Sequence, residues 1–187
     1  MQFRFVAVVL IFLAALSTIG AAQTGKPLEI GTQFTALRLY TIGEVTASVG
    51  ARASYELHFV GLTIAPEVEV NYFPQDSSGD FGEMQFMAGA RTGVSIGRRA
   101  FFIKTRPGLV HFGGADFTER TGRSSTNFAF DLGGVYEHFL SPHVAFRLDW
   151  GDTMIRFSSP SSTAQFSSIK PGWSHNLQTA CGVVFRF

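Results

Sequence analysis

The sequence predicts an all-β protein: an eight-stranded antiparallel up-and-down transmembrane β-barrel, preceded by a cleaved signal peptide. Two patterns predict the barrel. Segments of about ten to fourteen residues alternate apolar and polar positions, and the connections between these segments alternate between short and long. A third feature, an apolar run near the N-terminus, predicts export.

The apolar run covers residues 5–16, FVAVVLIFLAAL, and Arg4 is the only charged residue before Lys26. Gly20 and Ala22 supply small side chains at the −3 and −1 positions of a cut after Ala22. The run is shorter than the ~20 residues that a spanning helix needs, which favours a cleaved peptide over an uncleaved anchor. We therefore predict a signal peptide over 1–22 and a barrel domain over 23–187. The residue after the predicted cut is not Cys, so a lipoprotein is not expected.

Charge and cysteine content narrow the classes of function. Without Arg4, the predicted mature chain has 14 basic and 14 acidic residues, and this balance argues against nucleic-acid binding. Cys181 is the single cysteine, so no internal disulfide is expected. The length is that of one domain.

Eight strands follow from the alternation, most of them long enough for the ~9–11 residues that a membrane strand requires. They are predicted over 28–37, 47–57, 62–73, 84–95, 100–112, 127–139, 144–157 and 174–187.

The connections are short at 58–61, 96–99 and 140–143, and long and polar at 74–83, 113–126 and 158–173. The first connection, over about 38–46, is intermediate. Tight turns on one side and longer loops on the other are typical of membrane barrels, whose turns face the periplasm. An even number of strands places both termini on the turn side.

The two faces of each strand differ in polarity. In the segment 62–73, Leu62 and Val68 share one face, whereas Glu67 and Glu69 share the other. An eight-stranded barrel has an interior that side chains can fill. Six cations and six anions share the polar face: Arg52, Arg91, Lys104, Arg106, Arg147 and Arg186, with Glu56, Glu67, Glu69, Asp131, Glu137 and Asp149. This balance predicts a network of ion pairs and no diffusive pore, with Arg106 or Arg147 paired to Glu67 or Glu69.

Alternation by itself does not say which face is inside. A soluble lipocalin-like barrel would enclose its apolar face, whereas a membrane barrel turns that face to lipid. Aromatic residues at the ends of strands favour the membrane barrel, because such residues form girdles at the two interfaces. The predicted girdle residues are Tyr72, Phe73, Phe101, Phe102, Phe185 and Phe187.

Four stretches carry a resemblance to a known family: VGARASYEL, IAPEVEVNYFP, FIKTRPGLVHF and the terminal GVVFRF. They resemble the small eight-stranded outer-membrane barrels of the OmpA/OmpX/opacity-protein type, the outer membrane protein β-barrel domain family. The resemblance implies a place in the outer membrane of a diderm bacterium, in contact with its lipids. It also implies that Val183, Phe185 and Phe187 form the sorting signal read by the β-barrel assembly machinery.

Two features depart from regular strands. Pro66 and Pro107 lie within predicted strands and cannot donate to a ladder, so each is expected to need a bulge or a local bend. Leu37 and Leu39 fall on the polar face of the first strand. We therefore predict that this strand ends, or slips in register, near Ala36.

No catalytic residue, metal ligand or cofactor is predicted. A lipid-modifying hydrolase would need a Ser/His/acid set on the lipid-facing surface, but the adjacent Ser174 and His175 point to opposite faces of a strand. His58, His138 and His143 lie at short turns without a recognisable ligand spacing. Cys181 is read as a small apolar residue facing lipid.

Two interpretations are open for the turn residues Arg98 and Arg99. The favoured one is a solvated turn, and the other is a contact with lipid phosphate. The long loops contain the aromatic residues Phe117, Phe166 and Trp173, which could anchor an extracellular ligand. The prediction is a non-enzymatic outer-membrane barrel, expected to be monomeric, with a structural or surface-interaction role through its outer loops. The alternatives are a narrow channel for ions or small solutes and, less favoured, a lipid-modifying hydrolase.

Overall fold

The computed structural model describes residues 27–40, 43–74, 83–113, 125–157 and 172–187. The predicted signal peptide lies outside these ranges. The described chain forms ten strands: β1 (Leu28–Leu39), β2 (Glu44–Tyr55), β3 (Leu57–Phe59), β4 (Leu62–Phe73), β5 (Glu83–Ile96), β6 (Arg99–Phe112), β7 (Ser125–Ser141), β8 (Val144–Phe157), β9 (Gly172–Ser174) and β10 (Leu177–Arg186). None of the described residues forms a helix that is long and apolar enough to span a membrane.

The strands form one closed antiparallel sheet. Each long strand pairs with its neighbours along the chain, and β10 pairs with both β8 and β1, which closes the barrel. The short strands β3 and β9 continue β2 and β10 in the same register against their neighbours. The barrel therefore has eight walls, as predicted, and the bounds predicted for 62–73 and 144–157 are those observed.

Burial identifies the inner face. Lumen-facing Lys104, Arg106 and Asp131 are fully buried, whereas Phe34 is 69% exposed on the outer face. The exposed apolar side chains continue around the barrel on β2, β4, β6, β8 and β10. A soluble lipocalin-like barrel would have the opposite polarity, so the fold is that of a transmembrane barrel.

Two predictions about the first strand were wrong. The strand does not end or slip near Ala36 but pairs in one register with β2 as far as Leu39. The connection to β2 is also shorter than expected, because β2 begins at Glu44. The amide of Gly43, at φ 76°, donates to the carbonyl of Leu39 at 2.8 Å. Leu37 and Leu39 point into the lumen, like the polar residues of β1, because the lumen is lined by apolar side chains at the end where β1 finishes.

Neither proline produces a bulge. Pro66 pairs with Ala90 of β5, whereas on its other side the pairing breaks between Ser54–Glu67 and Leu57–Ile64 and resumes in the same register. Pro107 keeps its partner on β7, and its pairing with β5 is interrupted without a shift. Because proline has no backbone N–H to donate, each strand loses a few hydrogen bonds to one neighbour. Its side chains still alternate between lumen and lipid.

The aromatic girdle is smaller than predicted. Tyr72, Phe101, Phe185 and Phe187 are exposed on the outer face, but Phe73 and Phe102 are buried inside the barrel. Adjacent residues of a strand point to opposite faces, so only one residue of Tyr72–Phe73 and one of Phe101–Phe102 could face lipid. Phe73 and Phe102 instead fill the two ends of the lumen.

Lumen-facing glycines leave room for long side chains. A Cβ added to Gly89 would lie 2.7 Å from the Arg106 Cα and 3.0 Å from its Cγ, and one added to Gly50 would lie 2.0 Å from the Asn71 amide oxygen. A barrel of eight strands has little interior space. The glycines on one strand therefore make space for arginine and asparagine on the next.

Candidate functional site in the barrel lumen

The lumen is arranged in layers along the barrel axis. At the long-loop end lies an apolar layer, formed by Leu37, Leu39, Phe73, Met87, Val110, Phe112, Ala129 and Ile155. Below it is a layer of amide and hydroxyl groups, in which the Gln33 amide donates to Asn71 at 2.6 Å and the Gln85 amide donates to Gln178 at 3.0 Å. The charged residues occupy the middle, and a small cluster of Ala100, Phe102 and Val135 lies towards the turn end.

Arg106 is the centre of the upper charged group. Its Nη1 donates to Glu67 Oε1 at 2.8 Å and to Glu69 Oε2 at 2.5 Å, and its Nε donates to Asp131 Oδ2 at 2.8 Å. Lys104 Nζ lies 3.0 Å from the same Asp131 oxygen. One planar guanidinium thus joins three carboxylates from β4 and β7, which is the geometry that arginine favours.

Arg147 and Arg52 extend this group across the lumen. Arg147 donates to both oxygens of Glu67, at 2.5 and 3.0 Å, and to Asp149 on its own strand at 3.0 Å. Arg52 contacts Asp149 at 2.5 Å and Glu69 at 3.3 Å. The contacts of both Arg106 and Arg147 with Glu67 are those that the sequence suggested.

Arg91 is the centre of the lower group. It pairs with Glu29 and Glu137, lies 3.3 Å from Glu56 and stacks on the Phe102 ring, its guanidinium carbon 4.4 Å from the ring centroid. Arg186 lies 2.9 Å from Glu29 Oε1 and 2.5 Å from Glu56 Oε2. All twelve residues proposed from the sequence therefore lie in the lumen and contact groups of opposite charge.

Glu29 and Glu83 are lumen carboxylates that sequence reasoning missed. Glu29 is buried and holds both Arg91 and Arg186, and its position on the face of Gln33 was the available signal. Glu83 lies at the long-loop end between its strand partners Phe73 and Phe112. Within the described chain, its two carboxylate oxygens are buried without a hydrogen-bond partner.

The lower group contains three carboxylates that lie close together. Carboxylate oxygens of Glu29, Glu56 and Glu137 lie within 4.8 Å of one another, which is close enough to share an ion. Arg91 contacts all three carboxylates, and Arg186 contacts two of them. These guanidinium groups already supply the positive charge that the cluster requires.

The other candidate residues lie outside this network. Ser174 is buried and donates to Asn176 at 3.1 Å, whereas His175 is exposed, with its Nδ1 2.5 Å from Asp152 Oδ2, so the two side chains do point apart. His138 lies within β7, paired with Arg99, and not in a turn. Cys181 is exposed on the outer face.

Two further histidines lie at the turn end. His58 Nδ1 lies 3.0 Å from the Thr63 hydroxyl, and the amide of His143 donates to Ser141. The loop residues Phe117 and Phe166 lie outside the described residues. Trp173 belongs to β9 and packs against Phe128, with ring centroids 6.0 Å apart.

Comparison with solved structures places this architecture among known barrels. Neisserial surface protein A superposes with a TM-score of 0.52 at 12% identity, covering 86% of this chain and 96% of that chain. Ail, the attachment invasion locus protein of Yersinia pestis, superposes with a TM-score of 0.52 at 10% identity, covering 86% of this chain and 97% of its own. The chain has the fold of the small eight-stranded outer-membrane barrels. No family model matches the sequence, and no curated protein matches it.

Removing the central guanidinium should destabilise this outer-membrane barrel fold. In Arg106→Met, three buried carboxylates lose a shared partner, and we expect the free energy of unfolding to fall by about 3–5 kcal/mol. Denaturant titration in detergent micelles, followed by tryptophan fluorescence and gel mobility, measures the change. Arg99→Met is the matched control, because Arg99 is exposed on the outer face. Equal, small effects of the two substitutions would contradict a structural role for the network.

Proposed function

We propose that this chain is a non-enzymatic protein of the bacterial outer membrane, exported by its signal peptide, with a structural or surface-interaction role carried by its outer loops. The observation that supports the proposal is the filled lumen. Charged side chains from all eight barrel walls meet there in ion pairs, beneath an apolar layer. Such a lumen serves stability, and it leaves the loops as the surface free for specific contacts.

A narrow channel is the second candidate, and the layers of the lumen argue against it. An ion would first have to cross the layer containing Leu37, Phe73 and Phe112 and then separate pairs such as Arg106–Asp131. Each step costs several kcal/mol, because an ion loses water in the first and a buried charge loses its partner in the second. The residues of the lumen favour a closed barrel.

A hydrolase is the third candidate, for which the outer surface offers two of three groups. His175 and Asp152 form an exposed His–acid pair near the long-loop end. Within the described residues, no serine hydroxyl is hydrogen-bonded to His175, and Ser174 faces the lumen. An acyl-transfer reaction needs a nucleophile within reach of the base, and the described part of the chain supplies none to this pair.

A surface role fits the long polar loops of the sequence and the name of one structurally similar protein. Ail is named for attachment and invasion, and it shares the fold at 10% identity. In this chain, the exposed Trp173 packs on Phe128 at the base of the third long loop. An aromatic residue held in this way is pre-organised for contact with a partner surface.

The intact chain should show no stepwise conductance in a planar lipid bilayer, because its lumen is filled. The triple variant Phe112→Ala, Arg106→Ser, Glu67→Ser removes one apolar and two charged obstacles without changing net charge. We expect this variant to conduct if it inserts, so it serves as the positive control for detection. Discrete conductance steps from the intact chain would instead support the channel.

The long loops should carry any adhesion. Intact protein, displayed by a non-adherent host bacterium, should increase attachment to an epithelial monolayer. Replacing 114–124 and 158–171 with short Gly-Asn turns should abolish the increase while the heat-dependent gel shift of the barrel persists, because the walls are unchanged. Replacement of 75–82 alone is the control for loop shortening. Attachment no greater than that of host cells without the protein would leave only the structural role.

Phe187 should matter for assembly more than for stability. Its amide donates to the Leu28 carbonyl at 2.9 Å, but its side chain is 62% exposed. We propose that Val183, Phe185 and Phe187 are read by the assembly machinery, so Phe187→Ser should lower the outer-membrane yield in cells and leave refolding in detergent unchanged. Leu177→Ser, at the other end of β10 and 48% exposed, is the control. Equal yields from the two variants would refute the signal.

A further inference from the structure

Charge is distributed unevenly between the inside and the outside of the turn end. Its described carboxylates, Glu29, Glu56 and Glu137, are buried in the lumen and paired with Arg91 and Arg186. The exposed side chains with basic or acidic groups at this end are basic: His58, Arg98, Arg99 and His143, with His138 partly exposed. Asp152, a partly exposed carboxylate, pairs with His175 near the opposite end.

Arg98 and Arg99 differ from the lumen cations in having no ion pair. Each of the six lumen cations lies within 4.0 Å of at least one carboxylate. No such contact is found for Arg98 or Arg99 among the described residues, and both side chains are exposed. A cation pair without a counter-ion at a membrane barrel's edge is complementary to an anion in the adjoining lipid.

The turn presents these cations beside an aromatic surface. Gly97, at φ 60°, allows a tight turn in which Arg98 is the last residue, and Arg99 begins β6 on its outer face. Arg99 lies directly opposite His138 on β7, and the next outward-facing pair towards the membrane is Phe101 with Tyr136. The two rings lie 5.2 Å apart, and Phe101 is 48% exposed. Basic groups thus stand one strand repeat, ~7 Å, from an aromatic pair.

We propose that Arg98, Arg99 and His138 bind the phosphate of an anionic glycerophospholipid in the leaflet on the turn side. The part of an acyl chain nearest the headgroup then lies against Phe101 and Tyr136. The dimensions suit this ligand, because aromatic rings lie at the level of the headgroups and arginine side chains reach out to the interface.

The other described turns lack this combination. The β3–β4 turn is Val60–Gly61, and its neighbouring His58 contacts Thr63 and lies 3.6 Å from Glu56, towards the lumen. The β7–β8 turn contains Pro142 and His143 but no arginine. The site is therefore confined to the β5–β6 turn and the adjacent part of β7.

The inference depends on the proposed membrane location, and its test separates the two. Full-length protein is reconstituted into phosphatidylcholine vesicles containing a minority of spin-labelled phosphatidylglycerol or spin-labelled phosphatidylcholine. The heat-dependent gel shift first establishes that the barrel has inserted. The relative association constant of the two labelled lipids then measures selectivity for the anionic headgroup. A failure to insert would count against the membrane barrel, and an absence of selectivity would count against the lipid site.

Two double variants carry the same loss of charge. Arg98→Gln/Arg99→Gln should lower the selectivity for phosphatidylglycerol by about five-fold or more, the factor expected from each basic group near an anionic surface. Arg38→Gln/Arg156→Gln removes two exposed cations from the long-loop end and should leave the selectivity of the turn-side leaflet unchanged. Arg98→Lys/Arg99→Lys should restore part of it, because lysine keeps the charge and loses the planar, forked geometry.

Three outcomes would overturn the proposal. The first is equal loss of selectivity in the two double variants, which would indicate a general effect of charge. The second is unchanged selectivity in Arg98→Gln/Arg99→Gln. The third is displacement of the labelled lipid by millimolar inorganic phosphate, which would indicate a site for the free anion.

Phe101→Ala should weaken the association of both labelled lipids, because it removes the surface for the acyl chain and leaves the cations in place.

Discussion

The burial of charged groups in pairs within the lumen is the constraint on which the rest of this structure depends. Seven carboxylates and six cations in the two charged groups share a space enclosed by eight strands. Any one of them left without a partner would cost several kcal/mol, so each must meet another strand at the right height. The ion pairs therefore set the relative positions of strands that are distant in the chain, as when Arg147 of β8 meets Glu67 of β4.

The same constraint determines the surface of the barrel. Because the side-chain period of a strand is two, a slip of one residue would move every lumen charge on that strand into lipid. The observed registers avoid such slips even at Pro66 and Pro107, where a short piece of ladder is given up instead. A charged interior thus enforces an apolar exterior, and the exterior in turn requires a membrane.

The apolar layer at the long-loop end is the second element of the design. It separates the ion pairs from the loops, which keeps the local dielectric low and strengthens the pairing beneath it. The turn end is built differently, because Arg186 retains partial exposure and Arg91 and Arg186 stack on Phe102 and Phe139. The two ends of the barrel therefore differ in polarity inside as well as outside.

Much of this protein was predictable from the sequence, because strand period and charge are local properties. Alternation determined the eight walls, the two faces and the membership of twelve residues in the lumen. It did not determine which lumen groups meet, because pairs such as Arg52–Asp149 depend on closure of the barrel. It also misjudged Leu37, Phe73 and Phe102, since a face that is polar on average contains apolar layers at particular heights. Only the tertiary structure decides the position of a residue along the barrel axis, because that position depends on how the strands are staggered around the closed sheet.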